Sequence, residues 1–294
     1  MHRFFNEIMR KLFYGVLLLL LVSACQGNKS KVDPFSQLTN QIDSISENAD
    51  SISDSIPAEE ENIIPPSADE SFADFFYNFA LDNELQKSRI IFPLSFYKDN
   101  KKEIIQKNQW VHDPMMSKLP SYTVFYDIAS QMEMEKDTTI NSVKIEWIYL
   151  KKNKVKTYYF ERLKGLWKLE AIDYKDMAKS EGEKESFYDF YKKFAVDSLF
   201  QQDRIDSPLK FVTVDPDDEF QILETTLEQG QWFAFKPILP DVYLTNVLYG
   251  QRLSPKSNTK VMELKGFGNG FNNTLYFERR NGKWKLTQFE DLSD

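Results

Sequence analysis

Phe72, Phe75, Phe76, Phe79 and Ala80 recur at the i, i+3, i+4, i+7, i+8 spacing of a single helix face. The same spacing returns at Phe187, Phe190, Tyr191, Phe194 and Ala195. Ser71 or Asp69 stands where the first helix needs its N-cap, and Ser186 where the second does. After each helix comes a short apolar strand that carries a proline, residues 90–97 and then 205–212. Residues 101–108 and 219–228 are predicted as helices, the latter stopping near Gly230. The remainder of each half reads as alternating strands. They fall at residues 123–127, 143–150, 155–162 and 166–172, and again at 242–248, 260–267, 274–279 and 283–289.

The pattern repeats because the sequence does. Tyr159 to Leu169 reads YFERLKGLWKL and Tyr276 to Leu286 reads YFERRNGKWKL, with eight of eleven positions identical. Ser71 to Phe96 aligns without gaps to Ser186 to Phe211, with 13 of 26 positions identical. Gln109-Trp110 matches Gln231-Trp232, and Leu119-Pro120 matches Leu239-Pro240, in the same order. Residues 71–178 and 186–294 are therefore two copies of one domain, each of a size that supports a single core. Asn281-Gly282 suits a two-residue type I′ hairpin, which needs positive φ at both positions, and Lys164-Gly165 is a weaker version. Folding about these turns places Arg279 opposite Trp284, Glu278 opposite Lys285 and Phe277 opposite Leu286. The first copy gives Arg162 with Trp167, Glu161 with Lys168 and Phe160 with Leu169. Each Arg–Trp pair is a cation–π contact of about 0.5–2 kcal/mol, read here as sheet-stabilising or as a ligand platform.

Helices at the start and an antiparallel meander after them indicate the α+β class. The Phe-rich helix, the second helix and a terminal hairpin of the form F-x-x-x-x-G-x-W-K-L resemble a nuclear-transport-factor-2-like (cystatin-like) domain. That resemblance implies two tandem domains over residues 71–294, each with helices packed on a curved antiparallel sheet. A lipoprotein with two such copies resembles a Bacteroidetes family of unknown function. Domains of this type often dimerise through their sheets, so the resemblance also implies an internal pseudo-dimer. The superfamily holds enzymes, binding domains and inert scaffolds, and so its fold barely constrains activity.

The first seventy residues carry different information. Arg3, Arg10 and Lys11 precede an apolar run at residues 12–22, closed by Val22-Ser23-Ala24-Cys25. That run is too short for a permanent span and suits a signal-peptide core. Small residues before a cysteine resemble a bacterial lipobox. Residues 1–25 are thus expected to be a lipoprotein signal peptide, leaving Cys25 as the lipidated (palmitate-bearing) N-terminus of an envelope protein on the periplasmic or outer face. Cys25 is the chain's one cysteine, so internal disulfides and Cys-based metal sites are excluded. Residues 26–70 are Ser-, Asp- and Asn-rich and read as a disordered tether. Ser44, Ser51 and Ser55 lie in three Asp-Ser-Ile triplets that resemble a Bacteroidetes O-glycosylation signature; a Ser/Asp linker repeating by composition is the alternative.

Charge narrows the partners. The net charge of −8 belongs to the tether, where ten acids face only Lys29 and Lys31. Residues 71–294 are nearly neutral, which leaves nucleic-acid binding without electrostatic support. Catalytic motifs are scarce. His112 beside Asp113 lacks a cysteine or G-x-S-x-G nucleophile, no spacing suggests a metal or cofactor, and the glycine-rich stretch at residues 266–270 lies between strands, where a phosphate loop has no helix N-terminus to use. The basic run Lys151-Lys152-Asn153-Lys154 reads as a solvated turn or an acidic-surface contact. Asp82 with Arg89 and Asp197 with Arg204 recur at one spacing. Either aspartate is a candidate base for isomerase-like chemistry, or each pair is a structural ion pair joining a helix end to the first strand. With aromatics at 15%, the helix and curved sheet are expected to enclose either a filled core or an aromatic-lined pocket for a small apolar ligand or sugar. The expected function is a non-catalytic, lipid-anchored envelope protein that binds a ligand or protein partner. A pocket-carboxylate enzyme and a purely structural spacer are the alternatives.

Overall fold

Ser71 and Ser186 start the two long helices by accepting backbone N–H bonds from Asp74 and Asp189 at 3.4 and 3.1 Å. The computed structural model describes residues 71–178, 185–228 and 230–293. Helix α1, Phe72–Leu81, buries Phe72, Phe75, Phe76, Phe79 and Ala80, the stripe its spacing predicts. Helix α3, Phe187–Phe194, buries Phe187, Phe190, Tyr191 and Phe194. Short helices α2 (Asn83–Ser88) and α4 (Ser198–Asp203) come directly after them.

Each half then contributes to a six-stranded sheet. One sheet runs β2 (Lys101–Ile105), β1 (Ile90–Lys98), β6 (Leu166–Asp176), β5 (Lys154–Leu163), β4 (Ser142–Tyr149), β9 (Tyr243–Leu248). The other runs β8 (Asp218–Leu227), β7 (Ile205–Asp215), β12 (Lys283–Asp291), β11 (Asn272–Arg280), β10 (Thr259–Lys265), β3 (Tyr122–Tyr126). A one-turn helix, α5 (Trp232–Phe235), precedes β9. The hairpin register is as expected: Arg162 faces Trp167 and Arg279 faces Trp284, with guanidiniums 5.9 and 4.8 Å from the indoles. Lys164, Gly165, Asn281 and Gly282 all have positive φ.

Three expectations are corrected. Residues 101–108 and 219–228 are not α-helices; β2 fills Lys101–Ile105, before a single 3₁₀ turn at Lys107–Gln109, and β8 fills the second range, both as edge strands. Asp99 and Asn100 both adopt positive φ, so the chain turns back in two residues and pairs Leu94 with Ile105. Ile222, Thr225 and Thr226 are β-branched and suit the return strand β8. Nor are the sheets wholly antiparallel. β1 pairs parallel with β6, and β7 with β12, each with a register break around Pro93 or Pro208, which have no N–H to donate. Finally, the strands at 123–127 and 242–248 do not stay with their own copies. β3 pairs with β10, and β9 with β4, so the two halves exchange a strand reciprocally.

The exchange is sealed by two threonines. Thr123 Oγ1 donates to Thr245 O (2.6 Å) and accepts from Thr245 N (2.8 Å). Thr245 Oγ1 donates to Thr123 O (3.0 Å) and accepts from Thr123 N (2.7 Å). Hydroxyls thereby satisfy backbone groups that a sheet edge leaves open. Two aromatic-rich cores result, one around α1 and Phe160, the other around α3 and Phe277.

Candidate functional site

Cys25, Ser44, Ser51 and Ser55, all nominated by sequence, lie outside the described residues. Asp82 ends α1 and caps α2, its Oδ1 accepting from Glu84 N (2.8 Å) and Leu85 N (3.0 Å). Asp197 does the same for α4, accepting from Leu199 N and Phe200 N at 3.0 Å. Both are exposed, so neither faces an enclosed pocket as a base would. Nor is the expected Asp197–Arg204 ion pair formed. Arg204 instead grips Glu185 through two nitrogens, at 2.8 and 3.3 Å, and touches Asp203 and the Trp284 carbonyl. Buried Arg89 reaches the Trp167 carbonyl and lies 5.8 Å from the Phe75 ring. The spacing that suggested pairing is the spacing of a helix cap followed by a helix C-terminus.

The Asp113 carboxyl is taken up by partners other than its sequence neighbour His112. Its Oδ2 accepts from the Tyr158 hydroxyl at 2.5 Å, while Oδ1 accepts from Met115 N at 3.0 Å. Lys156 Nζ donates to the same hydroxyl and lies 3.6 Å from Asp113 Oδ2. A lysine, a phenol and a carboxylate thus form one chain at the end of the first sheet. Lys156 and Tyr158 reach it together because they are two apart on β5 and share a face. Burial pulls the Lys156 ammonium below its ordinary value, with Asp113 opposing. Burial first, and the Asp113 charge second, push the Tyr158 phenol well up. The phenol is thus held as a neutral donor between the Lys156 nitrogen and the Asp113 carboxyl.

Half-buried aromatics extend this surface. Trp147 and Tyr174 lie opposite Lys156 on its two neighbouring strands. Tyr149 faces Tyr243 across β4 and β9 and meets the Tyr174 ring edge-on at 6.1 Å. Lys152 and Lys154, from the basic tip, sit over Tyr149 and Tyr174 at 5.7 and 5.5 Å. Among the described residues, the second half carries no such set at the matching positions. Matching the two hairpins puts Leu264, Asn273, Leu275 and Asp291 where the first half has Trp147, Lys156, Tyr158 and Tyr174. Sequence reasoning misses this set, although the alternation Lys154, Lys156, Tyr158 on one face of β5 signals it.

A search of curated proteins finds no match to this chain. A crystal structure of an NTF2-like protein from Bacteroides fragilis NCTC 9343 is similar, at 48% identity and a TM-score of 0.74, over 82% of this chain and 100% of that one. The α+β, NTF2-like architecture is thereby shared with a solved protein. The model of a domain of unknown function, DUF4348, matches residues 49–291, and this chain belongs to that family.

Proposed function

We propose that this protein is a lipid-anchored cell-envelope lipoprotein that binds a ligand without transforming it, and that the binding end is the Lys156–Tyr158–Asp113 surface of the first half. One observation carries the reading. The duplicated scaffold repeats its caps, its buried glutamines and its Arg–Trp pairs, yet places a cation–phenol–carboxylate chain and an aromatic row in one half alone. Positions that build the fold recur, and these do not. Aromatic faces beside fixed donors and acceptors suit a hydroxyl-rich ligand such as an envelope glycan, whose sugar rings stack and whose hydroxyls bond. The lipobox-like run ending at Cys25 supports the anchor, and the Asp-Ser-Ile triplets at Ser44, Ser51 and Ser55 support a glycosylated tether.

Titration with oligosaccharides released from the native envelope tests the binding reading. Saturable binding to the wild type, weakened at least tenfold by Lys156→Met or Tyr174→Ala, is expected; no saturable binding to the wild type refutes it. Cys25→Ser tests the anchor separately, by release into the soluble fraction.

A further inference from the structure

The internal repeat lets each half serve as a control for the other. On the helices, Ala73 of α1 corresponds to Tyr188 of α3. On the exchanged strands, Val247 lies opposite Ile145, which faces Tyr158, and Phe125 lies opposite Met262, which faces Leu275. Tyr158 and Leu275 are equivalent in the repeated hairpins, so Val247 corresponds to Phe125. In the second half these two positions hold an aromatic pair: Phe125 meets Tyr188 edge-on, with centroids 6.3 Å apart at 78°. In the first half the same two positions hold alanine and valine, and both line a cavity of about 210 Å³.

The cavity lies on the seam between the halves. Phe72 and Phe76 of α1 form one wall, and Tyr122 of β3 with Tyr249, just past the end of β9, another. One side of its rim is an aromatic stack: the Phe267 ring lies 5.1 Å from Tyr77, nearly parallel at 16°. Gly268 makes that stack possible. It has φ of +70°, and a Cβ there would stand 2.8 Å from the Tyr77 ring. Ala73 and Tyr77 are exposed, so the cavity opens to solvent on that side, and it stands where two small residues replace the two large ones of the other half.

We propose that this cavity binds a small, uncharged, planar aromatic compound of about the size of a phenol, its ring seated where Tyr188 sits in the other half. The site is separate from the Lys156 surface and does not depend on that reading. Its charge preference comes from its surroundings. Glu135 and Glu263 lie near enough to Tyr122 and Tyr249 to add to burial in pushing both phenols upward. Asp74 lines the cavity itself, and an acidic side chain there disfavours an anionic arene of the same shape.

The probe is p-cresol, added to the full chain and followed by ligand-observed NMR and thermal unfolding, with benzoate as the anionic counterpart. Saturable p-cresol binding that raises Tm is expected, with benzoate at least tenfold weaker. Ala73→Tyr and Val247→Phe restore the second half's side chains, and each is expected to weaken p-cresol at least tenfold without lowering Tm. No saturable binding to the wild type overturns the proposal, including where a segment of the chain itself fills the space. Binding left unchanged in both variants overturns it as well. Should a filled variant fail to fold, wild-type chemical shifts decide: perturbation centred on Tyr77 and Phe267 supports the site, and perturbation elsewhere overturns it.

Discussion

Gln86 and Gln201 are the least conspicuous residues of the repeat and among the most deeply buried, at 0% and 1% exposure. Gln86 Nε2 donates to the carbonyls of Phe79 (2.9 Å) and Asp113 (2.8 Å), and Oε1 accepts from Asp113 N (2.9 Å) and Trp110 Nε1 (3.0 Å). Gln201 likewise donates to Phe194 O and accepts from Trp232 Nε1. One side chain thus clamps the end of the long helix to the loop after the first hairpin. Gln86→Leu strands several buried groups at about 1–3 kcal/mol each. A drop of at least about 2 kcal/mol in urea unfolding is expected, and an unchanged midpoint would show that the clamp adds no stability. Glu263 makes the opposite prediction. It is 6% exposed, and burial, with Glu135 adding and Lys265 opposing, lifts its carboxyl above the ordinary value of 4.5. A raised folded value means that the folded state holds its proton longer, so wild-type stability falls as pH climbs from about 4.5 through that value. Glu263→Gln is expected to be more stable than wild type at pH 7, with the gap closing at pH 4. A gap independent of pH contradicts this origin.

At the scale of elements, local features are legible in the sequence. The stripes of α1 and α3, their serine caps and the register of both terminal hairpins depend on spacing and turn chemistry within about a dozen residues. β2 and β8 are not legible, because their apolar positions are few and their identity depends on the turn before them. Asp99-Asn100 is a weaker hairpin signal than Asn281-Gly282. The exchange of β3 and β9 leaves no trace in either strand, because alternation is the same whichever sheet receives it. Of the candidate site, Asp113 is visible beside His112, but its partners are 43 and 45 residues away on β5. The Thr123–Thr245 clasp carries its own prediction. Replacing either threonine with valine leaves an N–H and a C=O of the partner unpaired, a cost of about 1–3 kcal/mol. Each hydroxyl serves the other strand, so the double variant should cost less than the sum of the singles. Strict additivity in a double-mutant cycle would show that the two hydroxyls act independently.

For the whole molecule, exchange changes what the repeat means. A duplicated chain ordinarily yields two domains that survive separation, because each closes its own core. Here residues 71–178 lack β9, so β4 would present an open edge, while their own β3 would lose the β10 it pairs with. Val247 and Tyr249 would also be missing from the core around α1, and Phe125 from the core around α3. An unpaired edge and a core with missing large side chains both favour unfolding or association. Residues 71–178 and 186–294 expressed apart should therefore show little cooperative unfolding and poor amide dispersion. Mixing them should restore both, since each supplies the strand the other lacks. A well-dispersed spectrum from residues 71–178 alone would mean that β3 can fold back to replace β9 beside β4, and that the observed exchange is a choice of partner rather than a requirement. The seam cavity sharpens the test, since Ala73 and Val247 come from opposite halves. Only the recombined pair should bind p-cresol, and neither fragment should do so alone.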